Sequence, residues 1–225
     1  MCDKLNILEI DYFGLQHKHK GCLYWVNLRN PLRPQVTTCA DGLNRLHLRV
    51  KFFVPPHLIQ QDITRQHFYY DIFRSLRVGL IELEPSVPTW LTLIALIAQI
   101  EFGNYRHDCY DLVELYRRCL RIFRKASRID KLGELEQLEY NEFALMPKII
   151  RVHQSHYGSQ AHKAIYALLE EATNLENIGV EYYPAILKDA HTGVRKHIRL
   201  GIGAKELVIK NVDSSGSSVA ARHFR

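Results

Sequence analysis

The spacing of apolar and polar residues changes character twice along this chain, and the two changes divide it. Over 48–52 apolar and basic residues alternate (Leu48, Arg49, Val50, Lys51, Phe52), the period-two pattern of a half-buried strand. Pro55 and Pro56 end it, because proline has no ladder N–H and keeps the preceding residue extended. Upstream, residues 22–28 read as another strand, and Leu5, Ile7 and Leu8 as the end of a helix. Gly14 reads as the positive-φ residue of a turn, and 31–44, with Pro31, Pro34 and Gly42, as loop.

From residue 62 the spacing becomes helical. Phe68, Tyr69, Ile72, Phe73, Leu76 and Leu80 predict an amphipathic helix. Pro85 and Pro88 separate it from the next, and Pro88 suits a first helical turn. Residues 90–102 are apolar nearly all round and predict the central helix, ended by Gly103-Asn104-Tyr105. A helix over 109–128 places Leu112, Tyr116, Cys119, Leu120 and Phe123 on one side. Arg117, Arg121, Arg124 and Arg128 form a stripe opposite, flanked by Arg118 and Lys125. The acidic residues Glu134, Glu136, Glu139 and Glu142 follow, and Pro147 predicts a break. A last helix is expected over 160–176. Strand patterns return at 180–183, 195–200 and 206–209. His191-Thr192-Gly193 and Gly201-Ile202-Gly203 lie between them as turns, and 212–225 reads as a flexible tail.

Composition changes this picture little. The chain has 225 residues, 47% of them hydrophobic, which argues against general disorder. A net charge of +6 allows an acidic partner. The longest apolar run, 90–100, is too short for a bilayer, which needs roughly 20 residues. Five cysteines without a CxxC pair read as reduced cytosolic thiols.

The motifs carry more. Asp11-Tyr12-Phe13-Gly14-Leu15-Gln16, then Trp25-Val26-Asn27-Leu28, then Leu48-Arg49-Val50-Lys51-Phe52-Phe53-Val54 before a helical stretch resemble the FERM domain in type and order. Ala98 with Phe102-Gly103-Asn104-Tyr105 resembles that family's second-lobe signature. The segment from Leu175-Glu176-Asn177 to Tyr183, with its later glycines, resembles the entry to the third lobe. The resemblance implies a multi-lobe α+β fold. Residues 1–56 would be a partial ubiquitin-like β-grasp lobe and 57–177 a helical bundle like acyl-CoA-binding protein. Residues 178–211 would begin a pleckstrin-homology-like β lobe and 212–225 would be the tail. It further implies two strands fewer than a full first lobe, hence a sheet edge left uncovered, as in a partial product or isoform. The branch most resembled is that of the RING-type ubiquitin ligases. By resemblance the expected function is a non-catalytic module that binds cytoplasmic tails of membrane receptors at the plasma membrane or cytoskeleton. A membrane–cytoskeleton linker, or the regulatory FERM part of a tyrosine phosphatase or kinase, are the alternatives.

Candidate chemistry is sparse. The basic set Arg117, Arg118, Arg121, Arg124, Lys125 and Arg128 could hold anionic phospholipid or an acidic partner. The competing reading is a solvated helix face paired with the following glutamates. His17-Lys18-His19 and His153 with His156 lack a third metal ligand at a fitting spacing and read as surface histidines. Cys119 falls on the apolar side and reads as core, and no RING-type cluster of Cys and His occurs, so neither catalysis nor a metal or other cofactor is expected. Gly201-Ile202-Gly203-Ala204 lacks the ending of a phosphate loop. Nucleic acid is not an expected partner, because no exposed aromatics interleave with the basic residues.

Overall fold

The first strand patterns become a three-stranded antiparallel sheet in the computed structural model, which describes residues 2–19, 22–32, 34–36, 46–127, 129, 134–175, 178–188, 193, 195–203, 207–212 and 218–224. Its strands are β1 (Phe13–His19), β2 (Cys22–Trp25) and β3 (Leu46–Val50), in the order β2-β1-β3. Phe13 pairs with Val50 and Leu15 with Leu48. The expected helix end near Leu5 is a short 3-10 turn, Cys2–Leu5, after which Ile7 is buried and Leu8 exposed.

Three sequence expectations for this sheet are corrected. Gly14 is a strand residue without positive φ. A Cβ there would lie 2.7 Å from the Trp25 ring, so glycine is needed for the ring to cross the strand. The basic position Arg49, expected on the solvent side, is the most buried of its strand. Its guanidinium pairs with Asp71 and donates to Ser75 Oγ at 3.4 Å, so the carboxylate neutralises what burial would penalise. Phe52, read as the inner end of the strand, lies beyond β3 and is exposed.

Six α-helices follow among the described residues: α1 (Asp62–Val78), α2 (Val87–Phe102), α3 (Tyr110–Ala126), α4 (Glu134–Glu139), α5 (Glu142–Ser155) and α6 (Ala161–Thr173). The αL residue Gly79 stops α1, which leaves Leu80 outside the helix its spacing suggested. Ser86 caps α2 at its N-terminus and Pro88 lies in the first turn, where the missing N–H has no helical partner to lose. The all-apolar pattern of α2 has its cause in burial. Trp90 and every residue from Leu93 to Gln99 are buried, with α3, α5 and α6 packed around the helix. Phe68 of α1 meets Tyr12, Phe13 and Phe53, with ring centroids 5.5–6.1 Å apart, which joins the sheet to the helices.

Pro147 does not break its helix. It lies in the second turn of α5 and removes the donor only for the carbonyl of Phe143, a residue 91% exposed and so open to solvent.

Glu9 fastens the first residues to the start of α1. Its carboxylate accepts the N–H groups of Gln60 at 2.9 Å and Gln61 at 3.0 Å. The Gln61 side chain answers by accepting Leu8 N–H at 2.7 Å and donating to Asn6 O at 3.3 Å. Met1–Glu176 form one compact unit and Asn177–Arg225 another.

The second unit is a four-stranded antiparallel meander of β4 (Glu181–Lys188), β5 (Arg195–Ile202), β6 (Leu207–Val212) and β7 (Ser218–Phe224). The tail expected from 212 is therefore corrected: Ser218–Phe224 pair with β6, Leu207 opposite Phe224. Hydrogen-bonded edge pairing outweighs a composition rich in serine. Gly201 is also not a turn residue. It lies within β5 opposite Tyr182, and a Cβ would approach that ring to 2.7 Å. The same ring lies under the Lys210 ammonium at 4.7 Å.

Candidate anion-binding face of the helical bundle

Helix α3 separates its two faces sharply. Leu112, Leu115, Tyr116, Cys119, Leu120, Phe123 and Ala126 are buried, while Arg118, Arg121 and Lys125 are exposed. The separation follows from the 100° turn per residue, which puts the apolar set and the basic set on opposite sides.

The basic residues do not all do the same thing. Arg117, 38% exposed, donates through Nε to Glu142 Oε1 at 2.7 Å and lies 3.8 Å from Glu114. Arg121, 66% exposed, reaches the other oxygen of Glu114 at 2.8 Å. Arg124 is half-buried and donates to the Tyr140 carbonyl at 3.1 Å. Arg118 and Lys125 are exposed and form no ion pair among the described residues. Arg128 lies outside the described residues, as do the side chains of Glu134 and Glu136.

Electrostatics agree with this division. The hydrogen bond from Arg121, helped by the charges of Arg117 and Arg118, holds the Glu114 carboxyl below the usual carboxylate range. The bond to Glu142 pushes the Arg117 guanidinium up. Two of the arginines thus hold the α4–α5 connection against α3, and Arg118, Arg121 and Lys125 face outward. The sequence stripe located the helix face correctly in its buried side. It did not separate bracing arginines from outward ones, although the competing pairing with the following glutamates holds for Arg117 and Glu142; the Tyr140 carbonyl is brought to Arg124 by chain folding.

That connection brings a residue which the sequence reasoning missed. Asn141 caps α5, its Oδ1 accepting Ala144 N–H at 2.7 Å, and Phe143 follows on the outer side. Asn141 ahead of Glu142-Phe143 carried a readable cap signal. Phe143 is 91% exposed, Tyr110 73% and Leu138 58%.

His153 is corrected from surface to core. It is fully buried at the end of α5, where Nε2 lies 2.8 Å from Gly103 O and 3.1 Å from Gln99 Oε1. Facing two acceptors, Nε2 carries the proton, so Nδ1 accepts the Tyr116 hydroxyl at 2.6 Å. Burial lowers its pKa, outweighing the raising effect of the Gly103 carbonyl, and the ring stays neutral. Gln99 Nε2 donates to Ser159 O at 2.6 Å, and Asn104 Oδ1 accepts Gly158 N–H at 2.7 Å. The node fastens α2, α3, α5 and the turn before α6. His17 is likewise buried, stacked on Tyr24.

Cys119 is fully buried, and burial pushes its thiol up to about 12, so it stays protonated at neutral pH. No group of three or more His, Cys, Asp and Glu among the described residues is placed to hold a metal ion. No helix among them is long and apolar enough to cross a membrane.

Known proteins share this architecture. Residues 54–183 match the model of the FERM central domain and residues 1–38 that of the FERM N-terminal domain. The chain is 28% identical over 187 residues to FERM, ARHGEF and pleckstrin domain-containing protein 1 of Gallus gallus, covering 82% of this chain and 16% of that protein. It is 28% identical over 186 residues to FERM domain-containing protein 7 of Homo sapiens, covering 82% and 23%. The chain thus spans less than a quarter of the length of these curated relatives. Its fold matches the FERM and C-terminal domain complex of Drosophila Merlin with a TM-score of 0.68 at 18% identity, covering 98% of this chain and 70% of that one. The MyTH4-FERM domain of human Myosin 7b, in complex with a harmonin-a PDZ3 domain, matches with a TM-score of 0.61 at 10% identity, covering 98% and 45%.

Proposed function

Since this chain belongs to the FERM family, we propose that it is a non-catalytic interaction module that binds cytoplasmic tails of membrane proteins while docked on the anionic inner leaflet. The observation that carries the membrane part is the outward set Arg118, Arg121 and Lys125 on a rigid helix. Each such charge is worth about 1 kcal/mol near an anionic surface. The tail-binding part rests on family membership, and solved relatives are themselves recorded with protein partners, a PDZ3 domain and a C-terminal domain.

Salt titration tests the membrane part. Binding to phosphatidylserine vesicles should fall steeply from about 0.1 M to about 1 M salt, as the Debye length shrinks from about 10 Å to about 3 Å. The triple variant Arg118→Gln/Arg121→Gln/Lys125→Gln should lose about 2–3 kcal/mol of binding. Its helicity should hold, because glutamine is a good helix former. Salt-independent binding would sink the reading.

A narrower reading takes the module as the substrate-recognition part of a receptor-degrading RING-type ubiquitin ligase, like the inducible degrader of the low-density lipoprotein receptor. It rests on the motif order at 11–16, 25–30, 48–54 and 56–59. Immobilised tails of lipoprotein receptors should then retain this chain, and tails of unrelated receptors should not.

A further inference from the structure

We propose that the groove beside Trp25, on the first sheet, is a subsite for an acidic peptide segment. Carboxylates of the segment meet Lys51 and Arg29, and an apolar side chain next to them seats on the aromatic floor. This deepens the tail-binding reading, on which it rests, by naming where a tail engages and what chemistry it carries there.

The groove has a volume of about 460 Å³. Phe13, Gly14, Trp25 and Val26 line it on the apolar side, and Phe13 and Val26 are themselves buried. Gly14 makes the shape possible. A Cβ there would meet the Trp25 ring at 2.7 Å and Lys51 Cδ at 3.2 Å, so hydrogen alone lets both side chains lie across the strand. Lys51 is held in place by rings. Its Nζ lies 5.7 Å from the Trp25 ring centroid and 5.4 Å from that of the exposed Phe52. The segment after β2 is held by Gln35. The Oε1 of Gln35 accepts Asn27 N–H at 2.8 Å, and its Nε2 donates to Asn27 O and Pro31 O, both at 2.9 Å. That braces the turn carrying Leu28 and Arg29, which line the groove and are exposed. A braced wall loses little freedom when a ligand binds.

Charge complementarity selects the occupant. The charged side chains lining the groove are Lys51 and Arg29, with no carboxylate beside them. Neither forms an ion pair among the described residues. An apolar floor with a few fixed polar groups is the usual make-up of a ligand pocket. A free phosphate would engage the cations and leave the floor in water. A flat bilayer would meet Leu28 and Phe52 but not the recessed Phe13 and Val26. A peptide with a carboxylate next to leucine or phenylalanine satisfies both the cations and the floor.

Tryptophan emission reads the site directly. The chain has two tryptophans, and Trp90 is fully buried in α2, so a ligand in the groove acts on Trp25. The full chain is titrated with a mixture of capped tetrapeptides of aspartate, glutamate, leucine and phenylalanine. A matching mixture carries asparagine and glutamine in place of the acids. The acidic mixture should change the emission saturably and the amide mixture should not. Arg29→Gln/Lys51→Gln should bind about five- to tenfold more weakly. Leu28→Ser, which keeps both charges, should also bind more weakly, and circular dichroism checks that each variant is folded. Trp25→Phe should abolish the signal. No response, an equal response to both mixtures, undiminished binding by the folded charge variant, or a signal that survives Trp25→Phe overturns the site. A blue shift of Trp25 on phosphatidylserine vesicles would make the occupant a leaflet and overturn the peptide. Receptor tails retained equally by the parent and the charge variant would refute the groove and leave the tail reading standing. Saturable binding of the acidic mixture with no tail retained would uphold the groove and sink the tail reading.

Discussion

At the residue scale, two glycines hold positions that no other residue fits, and for a reason other than backbone freedom. Gly14 lies under Trp25 and Gly201 under Tyr182, each with room only for hydrogen. Gly14→Ala should cost about 1–3 kcal/mol through overpacking. Most of that loss should vanish in a Trp25→Leu background, as two urea-denaturation series would reveal. Sequence reading assigned both glycines to turns, because the aromatic partner lies across the sheet and spacing along the chain does not display it. His153 gives a second consequence at this scale. Burial holds its pKa below the unfolded value near 6.5, so the unfolded chain binds the proton first on acidification. Stability should therefore be present above about pH 7 and decline as pH falls below the unfolded value near 6.5 toward the lower, folded one. The urea midpoint should show this slope, and His153→Gln should be less stable at pH 7 but flatter below it.

At the element scale, the helices were legible because their apolar faces are long and repeat at helical spacing. The central helix α2 and the buried side of α3 match their expected positions. What failed was local punctuation. Pro147 sits inside α5, and Leu80 falls beyond α1, because capping and solvent exposure decide where a helix tolerates or ends its pattern. The basic stripe was half legible. Its residues could be named, and the competing pairing holds for Arg117 and Glu142, but Arg124 braces the α4–α5 connection through a Tyr140 carbonyl brought in by folding. Glu9 makes a testable joint between elements. Burial would raise its carboxyl, yet the N–H groups of Gln60 and Gln61, with Thr64 and Arg65 assisting, hold it below its ordinary value. Its contribution is therefore present above about pH 4.5 and is lost as pH falls through the lower, folded value. Glu9→Gln, which removes the charge, should cost about 1 kcal/mol at pH 7, measured by thermal unfolding.

At the scale of the molecule, the chain is two units, with the first sheet and helices α1 to α6 in one of them. Brief proteolysis should yield a fragment ending near residue 176 that keeps its N-terminal sheet, and intact-mass measurement would identify it. Loss of residues 1–50 ahead of that cut would show the sheet to be only loosely held. The clasp between Glu9 and Gln61 also constrains the order of events during synthesis. A chain leaving the ribosome N-terminus first presents Glu9 before the amides it needs exist. β1 must likewise wait for β3, and Arg49 for Asp71. The first fifty residues therefore emerge without their full set of partners. Such nonlocal pairings are slow to close, and exposed strands are open to wrong pairing while they wait. A nascent chain stalled before α1 should be a client of chaperones, and one stalled after α1 should already have somewhere to fold.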